Sequence, residues 1–232
     1  MNPLARASAI CVQLGLALAG CDRHAVTIEQ PPRGRRLSTT EEANLQEVAD
    51  TAFRDARAAL EGLPPRLTLI VRFGKDVIPE TGESGAAGFP GNVGLTLDPD
   101  RDVLATIRRF VRPCLLHELH HLARRSRVQT PQRSLEHVIS EGLATAFERD
   151  LEKSTPPWGQ HPPEITAWAR EVLEHPEADS ETWFREQPDG RRWVGYQVGT
   201  FLVDRASLAS KMSAAELVFV PAEDVLRLAH FP

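Results

Sequence analysis

The chain has few of the residues that hold a fold together covalently. Of its three cysteines, Cys11 and Cys21 lie in the first 21 residues, and only Cys114 lies beyond them. An intramolecular disulfide is therefore excluded for the body of the chain, which must be held by its hydrophobic core. Repeats and low-complexity tracts are also absent, and no apolar run after the N-terminus is long enough to span a membrane.

An excess of positive charge is missing too. Lysine and arginine number 27 against 32 acidic residues, for a formal net charge of −5 and a pI near 5.9. A basic surface that complements the phosphate backbone is the usual mark of a protein that binds nucleic acid. The composition therefore predicts no nucleic-acid partner.

The most informative segment that the chain does contain is the sequence HELHH at residues 117–121. Each residue of an α-helix advances by about 100°, so His117 and His121 lie roughly 40° apart on one face. Two neutral imidazoles in this arrangement supply two of the four ligands of Zn²⁺. Glu118 then lies beside the metal, where it can accept a proton from an attacking water. The pattern is typical of zinc hydrolases.

The neighbours of this segment predict that Glu118 faces inward. Leu115, Leu119 and Leu122 form the buried stripe of an amphipathic helix. Glu118, three residues after Leu115, points into that stripe, and a buried carboxylate persists mainly where it is paired or lies near a metal. His120 is expected to lie outside the ligand set, behind the ligands or on the surface. Cys114 is interpreted as a small buried hydrophobe and not as a ligand.

The third protein ligand has to come from elsewhere in the chain. A metzincin would place Gly and His at the positions of Arg124 and Arg127, so that class is excluded. Glu141 follows His121 by 20 residues, on a helix predicted from about Ser134 to Leu151. It is the preferred candidate, and two further glutamates compete for the role, Glu136 and Glu148.

These motifs resemble a known group of enzymes. HELHH, the SEGLA segment around Glu141 and a Tyr-x-x-Gly at Tyr196 are similar to the gluzincin clan of zinc metallopeptidases, which includes thermolysin. They are most similar to a bacterial family described as predicted zinc-dependent proteases, over residues 67–204. The resemblance implies an α+β, zincin-like fold, in which a small β-sheet and a predominantly helical lobe flank a metal cleft. It also implies one Zn²⁺ held by His117, His121 and Glu141, with Glu118 as the catalytic base.

The match departs from thermolysin-like enzymes in one respect. Those enzymes carry an aspartate four residues after the ligand glutamate, and this aspartate orients a ligand histidine. Thr145 stands at that position here. A threonine hydroxyl hydrogen-bonds an imidazole only weakly, so the resemblance does not identify the group that orients the histidine.

Tyr196 is the only tyrosine in the chain and a predicted catalytic residue. It lies in a predicted buried helix, residues 193–202, in which Gly195 and Gly199 are one turn apart and allow close packing. We expect its hydroxyl to stabilise the charge on the carbonyl oxygen during hydrolysis. The competing interpretation is a core aromatic, in which case His137 and His161 are the first alternatives.

The N-terminus predicts export and lipid attachment. Residues 1–20 have one charge, Arg6, and an apolar run that ends in LAGC at residues 18–21, as in bacterial lipoprotein signals. Cys21 is then lipidated, residues 21–40 form a flexible tether, and residues 41–232 form the peptidase domain. The protein is expected on a membrane of the cell envelope, facing the periplasm or the exterior. An ordinary secretory signal with a chance cysteine is the alternative.

The remaining pattern is coarse. A helix is predicted from Thr39 and a strand at residues 67–73. A glycine-rich loop, residues 82–91, precedes a second strand at residues 93–97, which is either the edge strand that lines the cleft or an interior strand. Pro113 either begins the metal-binding helix or kinks a longer one.

The function predicted from these features is zinc-dependent hydrolysis of a peptide or protein substrate by a membrane-anchored lipoprotein. The alternative is a non-catalytic lipoprotein whose zinc site is structural or vestigial and which binds a protein partner. Glu118 separates the two, because a structural site has no need of an unligated carboxylate beside its ligands.

Overall fold

The computed structural model describes residues 24–88, 90–128, 134–175, 182–184 and 186–231. The predicted signal peptide and the predicted lipidation site, Cys21, lie outside these ranges. Among the described residues, no helix has the length and apolar character needed to cross a membrane.

A four-stranded sheet forms one side of the molecule. Its strands are β1 (Val26–Glu29), β2 (Leu67–Phe73), β3 (Glu83–Gly88) and β4 (Asn92–Leu97). The order across the sheet is β1-β2-β4-β3, with β1, β2 and β4 parallel and β3 antiparallel to β4. Alternate residues of β2 and β4, such as Leu69 and Leu95, are fully buried against the helices.

The structure decides between the two alternatives for the strand at residues 93–97. β4 matches the predicted strand at residues 93–97, but it lies inside the sheet, so the interior alternative is correct. The edge strand is β3, in the segment predicted to be a glycine-rich loop. Glycine and alanine have low strand propensity, but pairing from Glu83↔Leu97 to Gly88↔Asn92 holds the segment in register.

The predicted tether also needs correction where the structure describes it. Val26–Glu29 is a strand that pairs with β2 along its whole length. Val26 and Leu37 are buried in the core, and Ser38 caps the following helix. The domain therefore begins before residue 41, because hydrogen bonds to a neighbouring strand order a segment whose composition alone indicates a polar linker.

Helices make up most of the rest of the domain. They are α1 (Thr39–Ala59), α2 (Val103–Thr106), α3 (Arg112–Arg125), α4 (Ser134–Glu152), α5 (Ile165–Glu174), α6 (Val194–Ser210) and α7 (Ala222–Leu228). Ser38 and Glu41 form a capping box at the start of α1. Helices on a small mixed sheet constitute the α+β fold class predicted from the sequence, which is confirmed.

The helix that carries HELHH is longer than its α-helical part. α2 continues through a π-helical turn, Ile107–Val111, directly into α3. Pro113 has no N–H, and its ring crowds the carbonyl group four residues earlier, which favours a wider turn at this point. Of the two alternatives for Pro113, a distortion within a longer helix is the correct one.

Helix α4 is held very close to α6. A Cβ atom at Gly142 would overlap the backbone of Gly199, and a Cβ atom at Gly199 would overlap the Val138 carbonyl. Only hydrogen atoms fit between the two backbones, as the glycines of the predicted helix at residues 193–202 indicated. This contact fixes the position of α4 and of the glutamate that precedes Gly142.

Candidate metal centre

Three side chains from α3 and α4 meet at one point. Nε2 of His117 lies 3.0 Å from Oε2 of Glu141 and 3.1 Å from Nε2 of His121. Nε2 of His121 lies 3.2 Å from Oε1 of Glu141. Zinc bonds of about 2.0–2.1 Å in a tetrahedron place neighbouring donor atoms about 3.3 Å apart, so these spacings fit the ion.

The chemistry of this group also fits zinc. Two imidazole nitrogens and one carboxylate oxygen form the set that catalytic zinc sites use when they keep a fourth position for water or substrate. Within the described residues, the histidine, cysteine and acidic side chains whose ligand atoms lie close enough together to hold one ion are His117, His121 and Glu141. All three are nearly buried, with 8%, 5% and 9% of their surface exposed.

The two competing glutamates lie elsewhere. Glu136 pairs with the buried Arg124, whose Nη2 lies 2.7 Å from its Oε1. Glu148 lies on the far side of His117, with Oε2 at 3.4 Å from Nδ1 of the ring. Of the three candidates, only Glu141 reaches both Nε2 atoms.

Glu148 takes the position of the missing orienting group. A ligand histidine is usually held through its second ring nitrogen, and a carboxylate at Nδ1 of His117 fixes the ring and its tautomer. On His121 the same nitrogen lies 3.2 Å from Oγ of Ser140. Thr145 has no side-chain hydrogen bond among the described residues. Glu148 follows Glu141 by two helical turns, a spacing that could have indicated this role.

Glu118 lies next to the three candidate ligands but is not part of their cluster. The N–H of Ala87 in β3 donates a 2.7 Å hydrogen bond to its Oε2. A Cβ atom at Gly85 would lie 2.6 Å from Cγ of Glu118, so the glycine makes room for this side chain. The edge strand thus positions the carboxylate predicted to be the catalytic base.

The local charges favour a cation at this point. Burial lowers the pKa of His117, but its contacts with Glu141 and Glu148 outweigh burial and raise the pKa well above its usual range. Burial raises the pKa of Glu141, but the charge on His121 and hydrogen bonds from the neighbouring histidines hold it well below its usual range. A metal ion can replace the proton that these carboxylates stabilise on the imidazole.

A cavity of about 550 Å³ opens beside the centre, between β3 and the segment that follows α4. His117 and Glu118 line it, together with Gly85, Trp158 and Tyr196. A candidate ligand and the predicted base therefore both face the same cavity. Its size suits part of a peptide chain.

Tyr196 stands on the α6 side of this cavity. Its ring is half-buried and its centroid lies 6.3 Å from that of His117. Phe184 and Trp193 hold the ring by edge contacts, with centroids at 5.0 and 5.7 Å. The predicted residue is therefore beside the centre, and its role in the reaction stays a prediction.

The two alternatives to Tyr196 differ from each other. Nε2 of His137 lies 3.4 Å from Oε1 of Glu141, and its ring stacks on Phe184. His161 lies 3.4 Å from Oδ2 of Asp204, outside the residues that line the cavity. Only His137 is close to the candidate metal centre.

The surroundings of two residues in or near the HELHH segment, His120 and Cys114, differ from those predicted. His120 is not on the surface; it is fully buried, its ring contacts Phe147 and its Nε2 lies 3.4 Å from the carbonyl oxygen of Ala214. Burial holds its pKa well below the usual range. Cys114 is not a ligand, as predicted, but it lines the cavity and hydrogen-bonds to Glu83.

Comparison with known proteins agrees with this geometry. Residues 45–227 match a family described as "Predicted Zn-dependent protease". The chain belongs to that family. No curated protein and no solved structure matches the chain. The family description and the cluster of two histidines and a glutamate support zinc and a peptidase at a coarse level.

Proposed function

We propose that this protein is a zinc peptidase that hydrolyses peptide bonds with a glutamate as general base. The ligands are His117, His121 and Glu141, and one zinc ion is bound. We further propose that the chain is lipidated at Cys21 and acts at a membrane of the cell envelope, on a peptide or protein substrate.

The observation that carries the catalytic proposal is the position of Glu118. The residue is 8% exposed, its carboxylate accepts a hydrogen bond from the backbone of β3, and it lines the same cavity as His117. A structural zinc site is closed by its ligands and gains nothing from such a group. A hydrolytic site needs one, because the attacking water must lose a proton.

The chain's own groups divide the chemistry among them. Zinc, when bound, polarises the scissile carbonyl and makes water more acidic. Glu118 takes the proton from the attacking water and returns it to the leaving amine. Glu148 and Ser140 hold the two ligand imidazoles in orientation through their second nitrogens. Tyr196 donates a hydrogen bond to the carbonyl oxygen as its negative charge develops.

The free edge of β3 suits an extended peptide. Successive residues of a strand direct their backbone groups to opposite sides. The carbonyl of Glu83 and the N–H of Ala87 both point away from β4, toward Ile78 and Glu118. Gly85, halfway between them, therefore directs its N–H and carbonyl to the same side, where it lines the cavity. A substrate strand can pair there.

The test compares hydrolysis with metal content. Full-length protein in detergent, loaded with zinc, is expected to cleave members of an internally quenched peptide library. Glu118→Gln is expected to keep its zinc, measured by plasma mass spectrometry, and to lose at least about 10²-fold in turnover, since a general base contributes that much. Zinc-loaded wild-type protein that cleaves no peptide, or Glu118→Gln that cleaves normally, would refute the proposal.

A further inference from the structure

The wall of the cavity beside the metal centre carries more negative than positive groups. Among the described residues that line it are four glutamates and one arginine, Arg109. Three of the four have tasks or partners already: Glu118 is the proposed base, Glu148 contacts His117, and Glu152 is paired with Arg112. The fourth, Glu83, belongs to none of these pairs.

Glu83 is buried without a full set of partners. Only 2% of its surface is exposed. The Cys114 thiol and the Thr81 hydroxyl, both uncharged, lie beside the carboxylate, and Oε2 finds no hydrogen-bond partner among the described residues. A buried carboxylate oxygen without a donor is costly, and such groups in native proteins usually serve a ligand or a reaction. Among the described residues, the carboxylate therefore has neutral neighbours but no cationic partner.

The position of Glu83 on β3 determines its distance from the expected place of the scissile bond. Glu83, Gly85 and Ala87 share one face of the strand, and at Gly85 that face meets Glu118 and Cys114 of α3. Two residues of a strand span roughly 7 Å. A peptide whose scissile carbonyl is next to Glu118 thus places a group one or two residues away near Glu83.

We propose that Glu83 binds a cationic group of the substrate next to the scissile bond. This group is an ammonium or guanidinium, supplied by a lysine or arginine side chain or by a free α-amino terminus. The proposal rests on the peptidase function, for which it names a substrate class. A charge-assisted hydrogen bond to a carboxylate as buried as Glu83 is stronger than one in water, so the preference for a cation is expected to be large.

The test uses peptides that differ by one group. In the first arm, N-acetylated peptides carry lysine, arginine or the uncharged norleucine at each position flanking the scissile bond. In the second arm, neutral peptides carry either a free or an acetylated N-terminus. We expect full-length, zinc-loaded protein to prefer the cation in one of the arms by at least tenfold in kcat/KM, and that arm identifies the source of the charge. Equal kcat/KM in both arms overturns the proposal without any variant.

Glu83→Gln assigns the preference to this residue. The variant keeps the shape of the side chain and removes its charge, and the kcat/KM ratio of cationic to neutral peptide is expected to fall by at least tenfold. Glu174→Gln, an exposed position at the end of α5, is the matched control and is expected to leave the ratio unchanged. A structural role for Glu83 would lower kcat/KM for all peptides by the same factor, and that outcome refutes the proposal.

A binding measurement separates this proposal from the peptidase function. Calorimetry on zinc-loaded Glu118→Gln compares the lysine and norleucine peptides, and then repeats the comparison with Glu83→Gln added. Tighter binding of the lysine peptide that depends on Glu83, together with no cleavage of any peptide by the zinc-loaded wild-type protein, would refute the peptidase function and keep the cation site. Hydrolysis by the wild-type protein, with no effect of Glu83→Gln on the preference for cationic peptides, would refute the cation site and keep the peptidase function.

Discussion

Two carboxylates contact His117, and they have different tasks. Glu141 faces Nε2, the nitrogen that also faces His121, whereas Glu148 faces Nδ1. The difference of seven residues along α4 brings both to the same ring from opposite sides. At the scale of the residue, the site therefore depends on which nitrogen of one imidazole each glutamate reaches.

This difference predicts different losses of metal. Glu141→Ala removes a ligand and is expected to abolish stoichiometric zinc binding, whereas Glu148→Ala should retain zinc with an affinity lower by about 10–100-fold. Competition with a chelator of known affinity measures both. Glu174→Ala, at an exposed position at the end of α5, is the control and should bind zinc normally. Zinc retained in full by Glu141→Ala would show that the third ligand is assigned incorrectly.

Tyr196 gives a prediction about rate alone. Tyr196→Phe keeps the ring and its contacts with Phe184 and Trp193 and removes only the hydroxyl. Loss of a hydrogen-bond donor to the developing charge typically lowers the rate by about 10²–10³-fold. We expect that decrease in kcat, with KM and zinc content close to those of the wild type. If kcat is unchanged, Tyr196 is a packing residue, and His137, near Glu141, is the next candidate.

The sequence predicted the parts of the site that lie on one helix. The period of the α-helix alone places His117 and His121 on one face, and the structure has them there. The spacing of two turns places Glu148 on the same face of α4 as Glu141, but which nitrogen of His117 it reaches depends on how α4 is rotated against α3. That rotation is decided by packing between the helices, above all at Gly142 and Gly199.

At the scale of the element, the contact between α4 and α6 controls the site. Gly142→Ala would drive a Cβ atom into the backbone of Gly199 and force the helices apart. We expect the free energy of unfolding to fall by about 1–3 kcal/mol, and zinc affinity to fall with it, because Glu141 is the preceding residue. Thermal unfolding and zinc titration measure the two effects.

The matched control for this change lies in the sheet. A Cβ atom at Gly94 of β4 would meet the Ala86 carbonyl at 3.8 Å, an ordinary contact. Gly94→Ala is therefore expected to leave stability and zinc affinity nearly unchanged. Equal stability of Gly142→Ala and the wild type would mean that α4 and α6 do not need their close approach.

Elements with a strong pattern of their own were predicted well, and those that depend on neighbours were missed. β2 coincides with the predicted strand and α4 with the predicted helix to within a residue. β1 and β3 were missed, because Val26–Glu29 is short and Glu83–Gly88 is rich in glycine and alanine. Each becomes a strand only by pairing with a stronger one.

At the scale of the whole molecule, a buried ion pair does part of the work that disulfides do in many secreted domains. Arg124 of α3 is 1% exposed and donates to Glu136 of α4. It also donates to the carbonyls of Val218 and Val220, 2.8 and 2.9 Å away, near the end of the chain. One side chain thus joins both site helices to the C-terminal segment, and the pair is satisfied on several sides, as a buried ion pair must be.

The proposed anchor concerns the relation of this domain to the membrane. The sheet begins at Val26, only five residues after Cys21, and five residues reach at most about 18 Å. A lipid on Cys21 would therefore hold the domain against the bilayer surface, with a binding free energy of about 0.8 kcal/mol per buried CH₂.

Cys21→Ser is expected to abolish incorporation of labelled fatty acid and to release the protein from membranes. Cys11→Ser, which changes a cysteine within the predicted signal, is the control and should leave labelling intact. Labelled Cys21→Ser protein would refute the anchor, while the peptidase proposal would stand on Glu118 alone.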